Sequence, residues 1–264
     1  MLCLLASGIF VMTRTQQLPG TTENYHGFVM HRFTVDGCES LLVEPKTAGP
    51  GKPWIWRMEF FDHRPMADLS LLEHGYYLGY MNVGNTFGAP KAIAHLSQYY
   101  QFVTRQGQLH PKAVLEGFSR GGLYAYNFAA KFPGRVAAIY GDAPVCDFKS
   151  WPGGMGKGPG SKEDWAALIT SYEFKNEKQA LAFKHNPVDE LNILAKAHIP
   201  ILHVIGAADE VVPVTENTDV VVARYKKLGG LIQVISKPGG LHHPHSLDDP
   251  TRIVDFILSN TLAR

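Results

Sequence analysis

Three stretches of the chain carry residue types that can do chemistry together. The first is Val114-Leu115-Glu116-Gly117-Phe118-Ser119-Arg120-Gly121-Gly122, where an apolar run ends in Gly-x-Ser-x-Gly and passes into small residues. A strand that becomes a helix within about one residue forces the serine into a strained backbone conformation and leaves room only for small residues two before and two after it. Gly117 and Gly121 hold those places. Such a turn lifts the Ser119 hydroxyl off the sheet edge and leaves the Arg120 backbone N–H free to meet an oxyanion, with the helix N-terminus adding partial positive charge behind it.

A serine hydroxyl is a poor nucleophile at neutral pH and needs a base, which in turn needs a carboxylate to orient it. Beyond Ser119 the chain offers both in the order acid, then histidine. Asp209 follows an apolar run in Gly206-Ala207-Ala208-Asp209-Glu210-Val211-Val212-Pro213, with Asp142 the second choice of acid and Glu210 the third. The base is expected from Pro238-Gly239-Gly240-Leu241-His242-His243-Pro244-His245-Ser246, where His242 comes first after the glycines and His243 is next in line. His245 is assigned to the substrate side, and the other histidines to surface or loops. Three histidines in one loop also raise a metal site. Pro244 breaks regular ligand spacing and no Cys/His partner motif lies elsewhere, so no metal and no cofactor is expected.

These residues need a scaffold that brings strand ends together. Two β-rich runs, Phe28–Val35 and Glu39–Val43, flank Asp36-Gly37, a strong hairpin signal. Strands are then predicted over 54–61, 76–83, 112–115, 135–140, 200–206 and 231–236. Helices are predicted over 66–73, 89–105, from the serine to about 132, 215–228 and 250–262. Alternation at this spacing implies an α/β protein with a mostly parallel sheet covered on both faces and sites at the carboxyl ends of its strands. The segment 145–187 breaks the rhythm with a Gly-rich loop and two helical patches, and reads as a lid over the active edge. Its Gly156-Lys157-Gly158 lacks the Ser or Thr that a phosphate-binding loop needs. Trp151, Trp165 and Tyr172 in this insertion could wall a pocket, and Trp151 is taken as a substrate-binding residue.

At 264 residues and 45% hydrophobic the chain can bury one large core, and a single domain over 21–264 is expected. A net charge of +1, with no run of either sign, gives no nucleic-acid footprint. Met1 to Met12 is almost wholly apolar, which suits the core of a secretory leader within residues 1–20 and a secreted or periplasmic protein with no membrane association once the leader is removed. The alternative is initiation at Met12 and a cytoplasmic location. Cys38 and Cys146 would remain in a mature chain, paired or free.

Together the Ser119 turn, the Gly206–Pro213 loop and the Gly239–His245 loop resemble the α/β-hydrolase superfamily, from Gly27 almost to the end. Gly-x-Ser-Arg-Gly-Gly with a His-His-Pro-His ending is similar to bacterial esterase-like hydrolases, some of which act on carbohydrate esters. The resemblance implies an α/β-hydrolase fold, a Ser119-His242-Asp209 triad and a serine esterase acting on a small-molecule or saccharide ester. One departure is plain. The family's His-Gly after the third core strand is replaced by Trp56-Arg57-Met58-Glu59-Phe60, which makes Arg57 and Met58 the expected second oxyanion donors beside Arg120. The Arg120 side chain itself resembles the arginine that helps hold the oxyanion in glucuronoyl esterases. A prolyl-oligopeptidase-like peptidase is the second function, although nothing the size of a propeller precedes Gly27. A non-catalytic binding protein on the same fold is the third.

Overall fold

The computed structural model describes residues 18–261. The apolar run Met1–Met12 lies outside them, and so does Cys3. Among the described residues nine strands form one sheet: β1 (Thr21–Tyr25), β2 (Phe28–Val35), β3 (Cys38–Glu44), β4 (Trp54–Arg57), β5 (Tyr77–Met81), β6 (Ala113–Phe118), β7 (Val136–Asp142), β8 (Ile201–Gly206) and β9 (Ile232–Lys237). Their order is β1-β2-β3-β5-β4-β6-β7-β8-β9. The first three strands run antiparallel to their neighbours, and every pairing from β5 through β4 to β9 is parallel. The Asp36-Gly37 hairpin forms as expected: both residues have positive φ and Val35 pairs with Cys38.

Among the described residues there are eight α-helices, the last of them after β9: α1 (Met66–Glu73), α2 (Pro90–Arg105), α3 (Gly121–Lys131), α4 (Lys162–Ser171), α5 (Glu177–Leu181), α6 (Leu191–Lys196), α7 (Thr218–Lys227) and α8 (Thr251–Thr261). Two apolar layers result. On one face α2, α3, α6 and α7 cover the sheet, and α2 turns Ala92, Ile93, Leu96, Tyr99 and Val103 inward at helical spacing. On the other face α1 and α8 bring Leu71, Leu72, Ile253 and Phe256 against Ile55, Val114 and Tyr140. Strand β4 shows the alternation directly, since Trp54 and Trp56 stack at 5.2 Å on the first face while Ile55 packs on the second.

The insertion after β7 carries α4 and α5 and has an aromatic core of its own, with Phe148, Trp165, Tyr172, Phe174 and Phe183 packed together. It is strapped to the loop after β8. Glu216 accepts from Ser150 Oγ at 2.6 Å and from Lys157 N–H at 2.5 Å. Asn217 Oδ1 accepts from Cys146 N–H at 2.8 Å and Asp147 N–H at 3.2 Å, and its Nδ2 donates to Ser150 Oγ at 3.1 Å. Cys38 and Cys146 are both free thiols, and burial pushes the Cys146 thiol well up. Among the described residues no helix is long and apolar enough to cross a membrane.

Strand 54–61 is shorter than expected. The strand ends at Arg57, Met58 N–H makes the last bond across the sheet to Glu116 O, and Phe60, Asp62 and Arg64 all take positive φ in a tight loop. Strand β1 and helix α6 carry no clear signal in the sequence. Thr-Thr-Glu-Asn-Tyr is a polar, mostly exposed edge, and six residues are too few for helical periodicity to register.

Candidate active site

Strand β6 is buried along its length between β4 and β7 and ends at Phe118, so the residue that follows emerges at the carboxyl edge of the sheet. Ser119 takes φ +48°, the left-handed conformation expected of a serine between strand and helix. Its N–H donates to Asp142 O at 2.9 Å, and its carbonyl accepts from Gly122 N–H at 3.0 Å and Val145 N–H at 2.9 Å. The turn is therefore fixed from both sides. A Cβ on Gly117 would stand 2.6 Å from Gly121 O, and one on Gly122 would stand 2.7 Å from Val145 O, which is why small residues surround the serine. Helix α3 begins at Gly121 and directs its N-terminus at the hydroxyl.

The other two loops arrive at the same edge. His242 Nε2 lies 3.0 Å from Ser119 Oγ, and His242 Nδ1 lies 2.7 Å from Asp209 Oδ2. Asp209 is anchored through its second oxygen, which accepts from Val211 N–H at 3.0 Å and Val212 N–H at 2.8 Å. The carboxylate can point only one way. The acid loop and the histidine loop are tied by Ala207 N–H to Lys237 O and Ala208 N–H to Gly240 O. His242 and Asp209 are 5% and 7% exposed while Ser119 remains accessible, so a substrate meets the hydroxyl and not its partners. Glu210, the third choice of acid, is exposed, and so is His243.

This arrangement can relay a proton from a serine hydroxyl to an imidazole whose tautomer a carboxylate fixes. The surrounding architecture recurs in solved structures. A puromycin-hydrolyzing peptidase from Mycobacterium tuberculosis matches with a TM-score of 0.67 at 13% identity, over 87% of this chain and 38% of that one. A putative lipase from Acinetobacter baumannii matches with a TM-score of 0.58 at 13% identity, over 88% and 92%. A bacterial membrane phospholipase A matches with a TM-score of 0.59 at 14% identity, over 90% and 88%. The chain has the α/β-hydrolase fold. It spans well under half the length of the puromycin-hydrolyzing peptidase. No protein-family model matches the sequence, and no curated protein matches it.

Within the α/β-hydrolase fold, the expected second oxyanion donors need correction. Met58 N–H is consumed by Glu116 O at 2.9 Å, so it is not free for a substrate oxygen. Arg57 lies inside the sheet, paired with Tyr80 on one side and Glu116 on the other. Its guanidinium is fully buried, donating to Asp68 Oδ2 at 3.0 and 2.7 Å and to His63 O at 3.1 Å, and lying over the Phe118 ring at 4.3 Å. Burial works against that charge, but Asp68 and then Glu116 more than offset it. Burial raises the Glu116 carboxyl well above the usual range, and Arg57 pulls it back down. Arg57 thus holds the strand beneath the serine together. It does not reach the reacting atoms.

The residue the sequence did not single out is Glu59. It is the first residue beyond the paired part of β4, and a Cβ on Gly121 would stand 3.3 Å from Glu59 Cβ and 3.8 Å from Glu59 N. Its backbone therefore lies against the serine turn. The Glu59 carboxylate is ion-paired with Arg120, whose guanidinium also lies over the Phe60 ring at 4.9 Å and within 4.0 Å of Asp164. Among the described residues no acceptor takes the Arg120 N–H or the Glu59 N–H. The Arg120 side chain is thus held sideways by Glu59. Burial pushes the Glu59 carboxyl up, and Arg120 pulls it back down.

His245 also departs from expectation. It is 2% exposed and donates through Nδ1 to Asp142 Oδ1 at 2.9 Å, with its ring on Phe118 at 5.2 Å, so it cannot touch a substrate. His203, expected at the surface, is buried in β8 between Tyr126 OH at 2.7 Å and Thr218 Oγ1 at 2.9 Å. In the insertion, Trp165 donates to Glu177 at 2.9 Å and Tyr172 to Phe87 O at 3.0 Å, which makes both of them packing residues. Trp151 and Tyr172 stay partly exposed, and the Trp151 ring lies 6.3 Å from the Phe87 ring.

Proposed function

We propose that the protein is a serine hydrolase that cleaves a carboxylic ester, small or linked to a saccharide, through a covalent acyl-enzyme on Ser119. The observation that carries this reading is the unbroken chain from Ser119 Oγ to His242 to Asp209, at 3.0 and 2.7 Å. As Ser119 Oγ attacks the ester carbonyl, His242 Nε2 takes its proton. Asp209, locked by two backbone N–H groups, keeps the His242 Nδ1 proton in place and stabilises the imidazolium. The tetrahedral oxyanion accepts hydrogen bonds from Arg120 N–H and, in place of Arg57 and Met58, from Glu59 N–H. His242 then returns its proton to the departing alkoxide, and water attacks the acyl-enzyme by the same route in reverse. The half-exposed Trp151 offers a flat apolar surface suited to a sugar ring. No cofactor is required by these steps.

The test is covalent. Incubation with a serine-directed fluorophosphonate should add one phosphonyl group per chain at Ser119 and abolish hydrolysis of p-nitrophenyl acetate. Full activity after stoichiometric labelling, or no labelling at all, would remove the nucleophile from the reading. A peptidase is the second reading, favoured by the fold shared with the puromycin-hydrolyzing peptidase and with an acylaminoacyl peptidase from Pyrococcus horikoshii. Matched acyl p-nitrophenyl esters and aminoacyl p-nitroanilides separate the two by kcat/KM.

A further inference from the structure

Three imidazoles converge at the histidine loop. The rings of His242, His243 and His245 stand edge to face with centroids 4.7 to 4.8 Å apart, and one ring nitrogen of each lies within 4.8 Å of the other two. In two of them a buried carboxylate already holds Nδ1: Asp209 for His242 at 2.7 Å and Asp142 for His245 at 2.9 Å. Each of those rings therefore offers Nε2, oriented by the carboxylate behind it, as in histidines that bind metal. His243 is exposed, and no other side chain among the described residues bonds its ring. The His63 ring stands edge to face with those of His243 and His245, its centroid 6.4 and 5.9 Å from theirs.

We propose that His242, His243 and His245 form an inhibitory site for a divalent transition metal of the zinc class, in which the metal and Ser119 compete for His242 Nε2. Imidazole donors suit zinc, copper and nickel. Zinc binds imidazole nitrogen at about 2.0–2.1 Å in a tetrahedral set, so binding draws the three nitrogens closer than the 4.8 Å within which they now lie. The lone pair on His242 Nε2 now faces Ser119 Oγ at 3.0 Å. It can serve the hydroxyl or a metal, not both, so an occupied site is an inactive one. This rests on the reading of His242 as the base. The metal is a regulator of that base and takes no part in the reaction.

The experiment uses tag-free protein stripped with chelator and titrated with Co²⁺, followed by its visible absorption, and with Zn²⁺, followed by calorimetry. Hydrolysis of p-nitrophenyl acetate is measured in the same solutions, each variant against its own metal-free rate. The expected result is one metal per chain, inhibition over the concentration range of binding, and full recovery in excess chelator. His243→Ala should weaken binding and inhibition together by at least tenfold. Ser119→Ala, which lacks the competing hydroxyl, should bind Zn²⁺ at least as tightly as the wild type. No uptake, uptake indifferent to His243→Ala, or uptake without loss of rate would overturn the proposal. Binding and rate are read separately, so a wild type inactive on every ester defeats the hydrolase reading while the isotherms still decide the metal site.

Discussion

Asp142 holds His245 Nδ1 at 2.9 Å and leaves His242 to Asp209. Asp142 ends β7 and Asp209 follows the neighbouring parallel strand β8, and each has a histidine from one short loop, so the loop is pinned at two points three residues apart. Asp142 is fully satisfied in this role, since its second oxygen accepts from Ser246 N–H at 2.9 Å and Tyr140 OH at 2.9 Å.

The two acids should therefore fail differently when neutralised. Asp209→Asn should lower kcat by up to roughly 10⁴-fold with little change in Tm, because it disturbs the His242 tautomer, as the equivalent change does in other triads. Asp142→Asn should act mainly on stability, costing about 1–3 kcal/mol, as expected when buried donors lose an ionised acceptor. Ser119→Ala should abolish turnover and leave Tm near that of the wild type. Steady-state kinetics alongside thermal melts read all three, and a crippled kcat in Asp142→Asn with a mild Asp209→Asn would reverse the assignment.

The ion pair between Glu59 and Arg120 links the two residues whose backbone N–H groups we propose as the oxyanion donors. Removing one oxyanion donor outright costs about 10²–10³ in kcat, so loosening the pair should cost less, roughly 10- to 100-fold. Glu59→Gln and Arg120→Gln should each lower kcat by that amount with KM nearly unchanged. The exchange Glu59→Arg with Arg120→Glu should recover part of the loss. A change confined to KM would place the pair on the substrate side instead.

How much of this was legible in the sequence follows from where each signal is stored. The Ser119 turn is local, since glycine at 117 and 121 is demanded by atoms within a few residues, and a local demand leaves a local pattern. The choice of Asp209 and His242 rests on chain order and on loops at strand ends, and those loops do meet at the Ser119 edge. Glu59 was invisible because its position follows from where β4 stops pairing, which depends on Met58 N–H finding Glu116 O across the sheet. His245 and His203 were misplaced for a related reason. Polar side chains are buried when partners such as Asp142, Tyr126 and Thr218 come from distant segments, and one sequence does not show those meetings.

The lid is tied to the acid loop through Asn217, and this predicts where the protein is fragile. Asn217→Ala would leave the buried Cys146 N–H without an acceptor, together with Asp147 N–H, at a cost of about 1–3 kcal/mol per unsatisfied group. It should lower Tm and raise the rate of proteolysis within 145–187 more than elsewhere. Limited proteolysis read by mass spectrometry checks this, and cleavage spread evenly along the chain would show that Asn217 does not anchor the lid.

His203 predicts a specific loss of stability in acid. Burial in β8 lowers its pKa to about 3, whereas an unfolded chain titrates its histidines near about 6.5. Between those values the unfolded state binds a proton that the native state does not, so stability rises with pH across the window and is lost as pH falls through it. One such proton is worth about 1.4 kcal/mol per pH unit. His203→Gln keeps a polar group between Tyr126 and Thr218 but cannot titrate. It should be less stable than the wild type at pH 8, and the gap should narrow from about pH 6.5 downward. Urea unfolding of both proteins at half-unit steps from pH 8 to 5 measures the difference. A constant gap between the two curves would mean that His203 does not carry this proton linkage.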